Sequence, residues 1–154
     1  MTSKMARPSI TPRSRQAKLA LRHAGDLSGW LAKAKQDAAS GRPASLTVEE
    51  ISKVWSRRFA GREVEELIIP RRTLARRKAQ RGKLTLEESN KALRLARIAS
   101  EADRVFGNQE KADRWLRAPH SRLNGKTPLS LLKSEAGAIV IEEMLGQIDH
   151  GIFA

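Results

Sequence analysis

The sequence contains neither cysteine nor tyrosine, and its 154 residues include only three tryptophans, three phenylalanines and three histidines. Without cysteine the chain can form neither a disulfide framework nor a thiolate metal site, and it has no cysteine nucleophile. No apolar run approaches the length of a membrane span, and the basic N-terminus lacks the apolar segment of a signal peptide. We therefore expect a soluble protein that is compatible with a reducing compartment.

The remaining polar residues do not form a recognisable catalytic or metal-binding pattern. His23, His120 and His150 are far apart in the sequence, and none has the spacing of zinc ligands. The adjacent acidic pairs lie near predicted helix starts or on predicted exposed helix faces, where solvation explains them. Neither a glycine-rich phosphate loop nor a nucleophile elbow is present. The sequence therefore predicts a binding protein that is not an enzyme and uses no cofactor or metal.

The net charge of +13 is confined to the first half of the chain. Residues 1–84 contain 20 Lys and Arg against 7 Asp and Glu, whereas residues 85–154 contain 10 of each. A basic half joined to a neutral half predicts a polyanion partner for the first and a protein partner for the second. A solubilising basic surface is the alternative, but such concentration of charge favours nucleic acid.

An all-α fold is predicted, because Ala, Leu, Arg, Lys and Glu recur throughout and no period-2 alternation is sustained. Residues 1–14 are polar and contain two prolines, which predicts a disordered basic arm able to follow phosphates. Residues 15–84 form a first helical domain, which begins with short helices over 15–24 and 26–39. Residues 85–154 form a second, smaller helical domain.

Two T-x-x-E capping boxes, starting at Thr47 and Thr85, mark the beginnings of two helices. The second of these helices is the longest, extends through Phe106 and is predicted to connect the two halves. Trp55 and Phe59 follow the first capping box at helical spacing. We predict that both are core residues.

Residues 61–83 have the pattern of a helix-turn-helix unit. A short helix is interrupted by Ile69-Pro70, and a second helix starts at about Arg71 and ends before Gly82. The stretch from Arg71 to Lys83 contains seven Lys and Arg and no acid. This combination predicts that the second helix contacts DNA.

Leu74 is the expected inward anchor of that second helix, with Ala75 and Ala79 as small packing positions. In helix-turn-helix proteins the N-terminal half of the second helix reaches base edges in the major groove. Arginine suits this role because its planar fork pairs bidentately with guanine, whereas other basic side chains bind phosphate. The predicted DNA-binding residues are Arg71, Arg72, Thr73, Arg76, Arg77 and Lys78.

The final fifty residues have the clearest helix boundaries. Gly107 and Asn108 end one helix and cap the next, and a proline ends that helix in turn. Thr127-Pro128 starts another helix. The last helix carries apolar residues at i, i+4 and i+7, and Gly151 is its expected C-terminal cap.

These residues also carry a family resemblance. The segments VFG, KADRWL, GKTPLSLL and IDHGIF of residues 105–153 resemble the toxin-binding domain of Xre/ParS/MbcA-type antitoxins, which neutralise RES-domain toxins. The segment RTLARR, residues 72–77, resembles the second half of their Xre-like helix-turn-helix domain. The resemblance extends well over residues 74–154. The turn differs, because Ile68 stands where these antitoxins usually have glycine and Pro70 comes one position early.

The resemblance implies an antitoxin of a type II toxin–antitoxin pair in the bacterial cytoplasm. Such a protein binds a RES-domain toxin, occludes the site where NAD is consumed, and regulates its own operon by binding operator DNA as a homodimer. Ile152 and Phe153 either fold back onto the last helix or reach into the toxin's cleft. The candidate toxin-binding residues are Arg114, Trp115, Arg117, His150, Gly151, Ile152, Phe153 and Ala154.

Other interpretations of the same pattern remain open. In the first, the chain is a stand-alone helix-turn-helix transcription regulator whose C-terminal domain only dimerises. Alternatively, the helix-turn-helix unit is degenerate and serves dimerisation or toxin packing instead of DNA binding. A general RNA- or nucleoid-binding protein is a weaker alternative.

Overall fold

The computed structural model describes residues 27–152, and within them it is all-α, as predicted, with one isolated β-bridge. Single 3-10 turns follow α2 and α6. No helix of this part of the chain is long and apolar enough to cross a membrane. The α-helices are α1 Leu27–Ala39, α2 Val48–Val54, α3 Gly61–Leu67, α4 Arg71–Ala79, α5 Leu86–Phe106, α6 Gln109–Arg117, α7 Pro128–Leu131 and α8 Glu135–Asp149.

Several sequence predictions fall outside the described residues. They are the disordered arm over residues 1–14, the short helix over residues 15–24, and the roles of Phe153 and Ala154.

The helix starts lie where the capping residues predicted them. The Thr47 side chain accepts a hydrogen bond from the Glu50 amide, and the Glu50 carboxylate accepts one from the Thr47 amide, 2.8 Å away. Thr85 and Glu88 form the same reciprocal pair at the start of α5. Asn108 caps α6. These side chains satisfy amide groups that would otherwise lack partners in the first helical turn.

The 21-residue helix α5 is the central element of the fold. It packs against α1 and α3 from the first half of the chain and against α6 and α8 from the second. Its buried side chains are mostly small, which lets these neighbours approach its backbone closely. They are Ser89, Ala92, Leu95, Ala96, Ile98, Ala99 and Ala102. The predicted connector is therefore part of the core on both sides.

The first half packs around two tryptophans. Trp30 of α1 meets Trp55 edge-on, with ring centroids 4.8 Å apart. Trp55 and Phe59 are buried, so the prediction that both are core residues is confirmed. The segment after α4 returns to the start of α2, where the Leu84 amide donates to the Leu46 carbonyl at 2.9 Å.

The second half closes around the C-terminal end of α5. Gly107 ends α5 in the left-handed conformation, with φ of 63°, and α6 turns back along the helix. Helix α8 lies against the other side of α5. Arg94 and Arg97 of α5 both bind Glu135 in the first turn of α8, at 2.8 and 2.9 Å. A carboxylate in the first turn of a helix is also stabilised by the positive end of the helix dipole.

Candidate functional site

The helix-turn-helix layout is present, with a turn that does not require glycine. Helix α3 ends at Leu67, and Ile68 follows with φ of −125°, outside the left-handed region. Ile68 and Ile69 are both buried, so the turn itself contributes to the core. Pro70 then precedes α4, and its φ of −57° suits the entry to a helix. The departure from the family pattern at Ile68 is therefore accommodated by packing.

Helix α4 lies on the surface and has no fully buried residue. Leu74 is half-buried and packs against the core, as predicted for its anchor. Ala75 and Ala79 are exposed, so the prediction that they are packing positions was wrong. Four of the predicted DNA-binding side chains are also exposed, and within residues 27–152 none of them forms an ion pair with a carboxylate. They are Arg71, Arg72, Arg76 and Lys78.

The other two predicted DNA-binding residues, Thr73 and Arg77, are half-buried. The Arg77 guanidinium forms an ion pair with the Glu88 carboxylate at the start of α5. Burial tends to raise the pKa of Glu88, but the hydrogen bonds from Arg77 and Thr85 outweigh it and hold that pKa below its usual value. Arg77 thus differs from its neighbours in being bound within the protein.

A buried ion-pair cluster joins the first half of the chain to the second. The Arg58 side chain is only 5% exposed, and its two terminal nitrogens each donate to an Asp103 oxygen at 2.7 Å. Its Nε donates to Asp113 of α6 at 2.9 Å. Bidentate pairing of this kind fixes both distance and orientation. Arg58 therefore binds α5 and α6 at once.

Arg117 extends the same cluster to the helix-turn-helix unit. Its guanidinium donates to both oxygens of Glu63 in α3, at 2.7 and 2.9 Å, and to the Arg58 carbonyl at 3.1 Å. The hydrogen bond to Glu63 raises the pKa of Arg117 above its usual value. This candidate toxin-binding residue therefore points toward α3 and contributes to the junction between the two halves.

Trp115 belongs to a half-buried ring cluster on the second half. Its ring centroid lies 5.6 Å from that of Phe106 and 5.2 Å from that of His120. His120 Nε2 also lies 3.1 Å from the Trp115 carbonyl oxygen. Neighbouring Arg114 is exposed, and its ion pair within residues 27–152 is with Glu110, which is also exposed. Both predicted residues present part of their side chains to solvent.

The described part of the C-terminal tail is held away from the core. Gly151 is the C-terminal cap, as predicted: it adopts φ of 66°, and the Ile152 amide donates to the Gln147 carbonyl at 2.8 Å, which is Schellman geometry. Asp149 pairs with Arg104 of α5 at 2.8 Å. His150 and Gly151 are exposed, and Ile152 is 60% exposed. The Ile152 side chain therefore does not close the core, although its amide is bound to the last helix.

Two exposed apolar residues of α8 were not predicted as candidate functional residues. Ile139 and Val140 are 48% and 40% exposed, whereas Ala138 and Ile141 on either side of them are buried. A helix turns about 100° per residue, so four consecutive apolar positions cannot all face one core. The run over residues 138–141 was the available signal, and it predicts two outward apolar side chains.

Two family models match the chain. The Antitoxin Xre-like helix-turn-helix domain matches residues 37–97. The Antitoxin Xre/MbcA/ParS C-terminal toxin-binding domain matches residues 101–151. The two matches meet inside α5.

Three curated proteins named Antitoxin Xre are similar to this chain. That of Pseudomonas putida is 44% identical over 84 residues, which are 54% of this chain and 53% of the relative. That of Yersinia enterocolitica is 37% identical over 87 residues, 56% of this chain and 59% of the relative. That of Photorhabdus laumondii is 32% identical over 108 residues, 70% of this chain and 73% of the relative. The chain therefore spans less than two thirds of the first two relatives.

Proposed function

Because the chain belongs to the Xre/MbcA/ParS family of antitoxins, we propose that it binds and neutralises a RES-domain toxin and covers the cleft where that toxin consumes NAD. The antitoxin assignment follows from the family. The toxin class rests on the resemblance of the C-terminal segments to antitoxins that neutralise RES toxins. Neutralisation by this protein requires binding alone and no catalysis.

The observation that carries this proposal is the outward apolar surface of the C-terminal half. Ile139, Val140 and Ile152 are all at least 40% exposed, and they lie on α8 or directly after it. An amphipathic surface helix normally turns polar residues toward water. Adjacent exposed apolar side chains, such as those of Ile139 and Val140, are typical of protein-binding surfaces. We propose that these three residues bury against the toxin.

The test is to co-express the toxin with wild-type antitoxin or with the I139E/V140E variant. We expect the double variant to lose neutralisation, because two charges would then lie against an apolar toxin surface, and we expect cellular NAD to fall. L86E is the control, because Leu86 is 63% exposed in the first turn of α5, on a different helix from Ile139 and Val140. Circular dichroism verifies that each variant folds. Full neutralisation by I139E/V140E would refute this surface assignment.

The tail is tested separately with a chain that ends at Gly151. This truncation removes Ile152, Phe153 and Ala154 but leaves the α8 residues and the glycine cap. If the tail reaches into the toxin's cleft, binding weakens and NAD is not restored. If the truncated chain neutralises as well as the full chain, the α8 surface alone is sufficient. If the full chain itself fails, the stand-alone regulator becomes the better description.

We further infer that the first half binds operator DNA through α4, with two copies of the chain reading paired half-sites. The inference is supported by the helix-turn-helix layout, the match over residues 37–97, and the exposed cations of α4. Arg72 and Arg76 are one helical turn apart and project from the exposed side of the helix. Arginines in this position are suited to guanine, and the adjacent basic residues to phosphate.

The DNA proposal is tested by fluorescence anisotropy with the promoter DNA of the protein's own operon. Affinity should fall steeply as salt rises, because phosphate contacts release counterions. R72A/R76A should weaken binding by at least about tenfold, because each bidentate base contact contributes about 1–3 kcal/mol. R122A removes an exposed arginine from the second half and should change little. Affinity that is independent of salt would contradict the proposal.

A further inference from the structure

Helix α4 packs against α2 and has few other contacts that could fix its orientation. None of its side chains is fully buried, and Leu74 is only partly so. Among residues 27–152, α4 forms one ion pair with another helix, between Arg77 and Glu88 of α5. The two side chains are 19% and 14% exposed, so water screens this pair far less than a surface pair.

Glu88 also has a role in α5 that does not depend on Arg77. The same carboxylate oxygen, Oε2, accepts a hydrogen bond from the Thr85 amide at 2.8 Å and thus completes the capping box of α5. The Gly82 amide donates to the Arg77 carbonyl at 2.8 Å, which closes the turn between the two helices. Arg77 therefore connects the end of α4 to the capping box at the start of α5, which Thr85 and Glu88 form.

We propose that Arg77 is a positioning residue, which sets the angle of α4 on α5 through Glu88 and does not itself contact DNA. This inference rests on the proposed DNA binding by α4. If Arg77 turned outward to a phosphate, it would leave the mostly buried Glu88 carboxylate without its cation, and that arrangement is strongly unfavourable. The DNA contacts then fall to the exposed side chains, Arg72 and Arg76 above all.

The substitution E88Q separates this role from simple electrostatics. Removing a negative charge beside a DNA-binding helix ordinarily strengthens binding, because it lowers the repulsion from phosphates. If Glu88 positions α4 through Arg77, the same substitution weakens binding instead. Glutamine is chosen because it preserves the capping box. The matched control is E87Q, which removes an equal charge one residue away, where Glu87 is exposed and pairs with Lys91.

The experiment measures operator affinity and its salt dependence for wild type, R77A, E88Q and E87Q. We expect R77A and E88Q each to weaken binding by about tenfold, within the range found for coupled charged residues. The slope of log affinity against log salt should stay at the wild-type value for R77A. E87Q should bind at least as tightly as wild type.

Two results would overturn the proposal. The first is a salt slope for R77A that is smaller by about one, as the loss of one phosphate contact predicts. The second is E88Q that binds as tightly as wild type or more tightly. Amide hydrogen exchange without DNA gives an independent decision, because α4 should exchange faster in E88Q than in E87Q. If wild type binds no operator, the DNA proposal fails, while unchanged exchange in E88Q refutes the positioning role.

Discussion

Two glycines of α8 should respond in opposite ways to the same substitution. A Cβ atom on Gly137 would lie 2.0 Å from the Leu131 carbonyl oxygen, a backbone atom that cannot move aside cheaply. The same atom on Gly146 would meet nothing within 4 Å. Both residues are inside the helix. The close approach of α8 to α7 therefore depends on Gly137 alone of this pair.

We expect G137A to lower the free energy of unfolding by about 2–3 kcal/mol, as overpacking does. G146A should raise it by about 0.5–1 kcal/mol, because alanine reduces the freedom of the unfolded chain. Urea denaturation followed by circular dichroism measures both. Equal effects of the two substitutions would show that the contact with Leu131 does not limit the position of α8.

At the level of elements, the ion pairs between α5 and α8 predict how stability depends on pH. Hydrogen bonds from Arg97 and Arg94 hold the pKa of Glu135 below its usual 4.5. A carboxyl whose pKa is lowered by folding contributes stability above the unfolded value and loses it as pH falls through the folded value. The contact between these helices should therefore weaken in acid.

The prediction is that the free energy of unfolding falls as pH drops below about 4.5, and that E135Q falls less steeply than wild type. E143Q is the control, because Glu143 lies on the same helix, is exposed, and forms no ion pair within the described chain. It should follow the wild-type curve. The measurement is urea denaturation from pH 3 to pH 7 at low salt. If the free energy of unfolding of E135Q fell with pH as steeply as that of wild type, the Glu135 ion pairs would not be the cause.

The elements themselves were largely predictable, because their boundaries depend on local chemistry. Thr47, Thr85 and Asn108 cap helices through residues three positions away, and such patterns are visible in the sequence. The packing of α4 was predicted only in part. Leu74 was correctly expected to face the core, but Ala75 and Ala79 are exposed. Alanine is small enough to lie either in a core or on a surface, so its presence did not decide these two positions.

The surface residues were predictable only in part, for a related reason. The exposed cations of α4 follow from composition and spacing. Arg77 and Arg117 look like their neighbours in the sequence, yet each binds a carboxylate on another helix, Glu88 and Glu63 respectively. Pairing at 11 or 54 residues' separation depends on the packing of helices. Sequence alone therefore overestimated the number of free arginines.

For the whole molecule, the Arg58 cluster predicts that the two halves unfold together. Trp30 and Trp55 report on the first half, and Trp115 reports on the second. Arg58 lies between them and binds both α5 and α6. With 5-fluorotryptophan incorporated, the three native ¹⁹F signals should disappear at the same urea concentration. Separate midpoints would show that the halves are independent units.

The R58A variant tests whether this cluster is responsible. Removing Arg58 leaves the partly exposed Asp103 and Asp113 carboxylates without their cation, and a hydrogen bond to a charged group contributes about 1.5–3 kcal/mol. The common midpoint should fall accordingly, whereas R62A, which removes an exposed arginine of α3, should leave it nearly unchanged. If R58A lowered the free energy of unfolding no more than R62A, the coupling of the two halves would come from the apolar face of α5 instead.

The meeting of both family matches inside one helix also limits how this chain could exchange parts with a relative. A recombinant joined at residue 85 would place Arg58 from one parent opposite positions 103 and 113 from another. A crossover within the Gly107–Asn108 turn would separate the two acidic positions from each other. A recombinant of this chain therefore keeps the junction only if the other parent supplies carboxylates at both positions, or if later substitutions restore them.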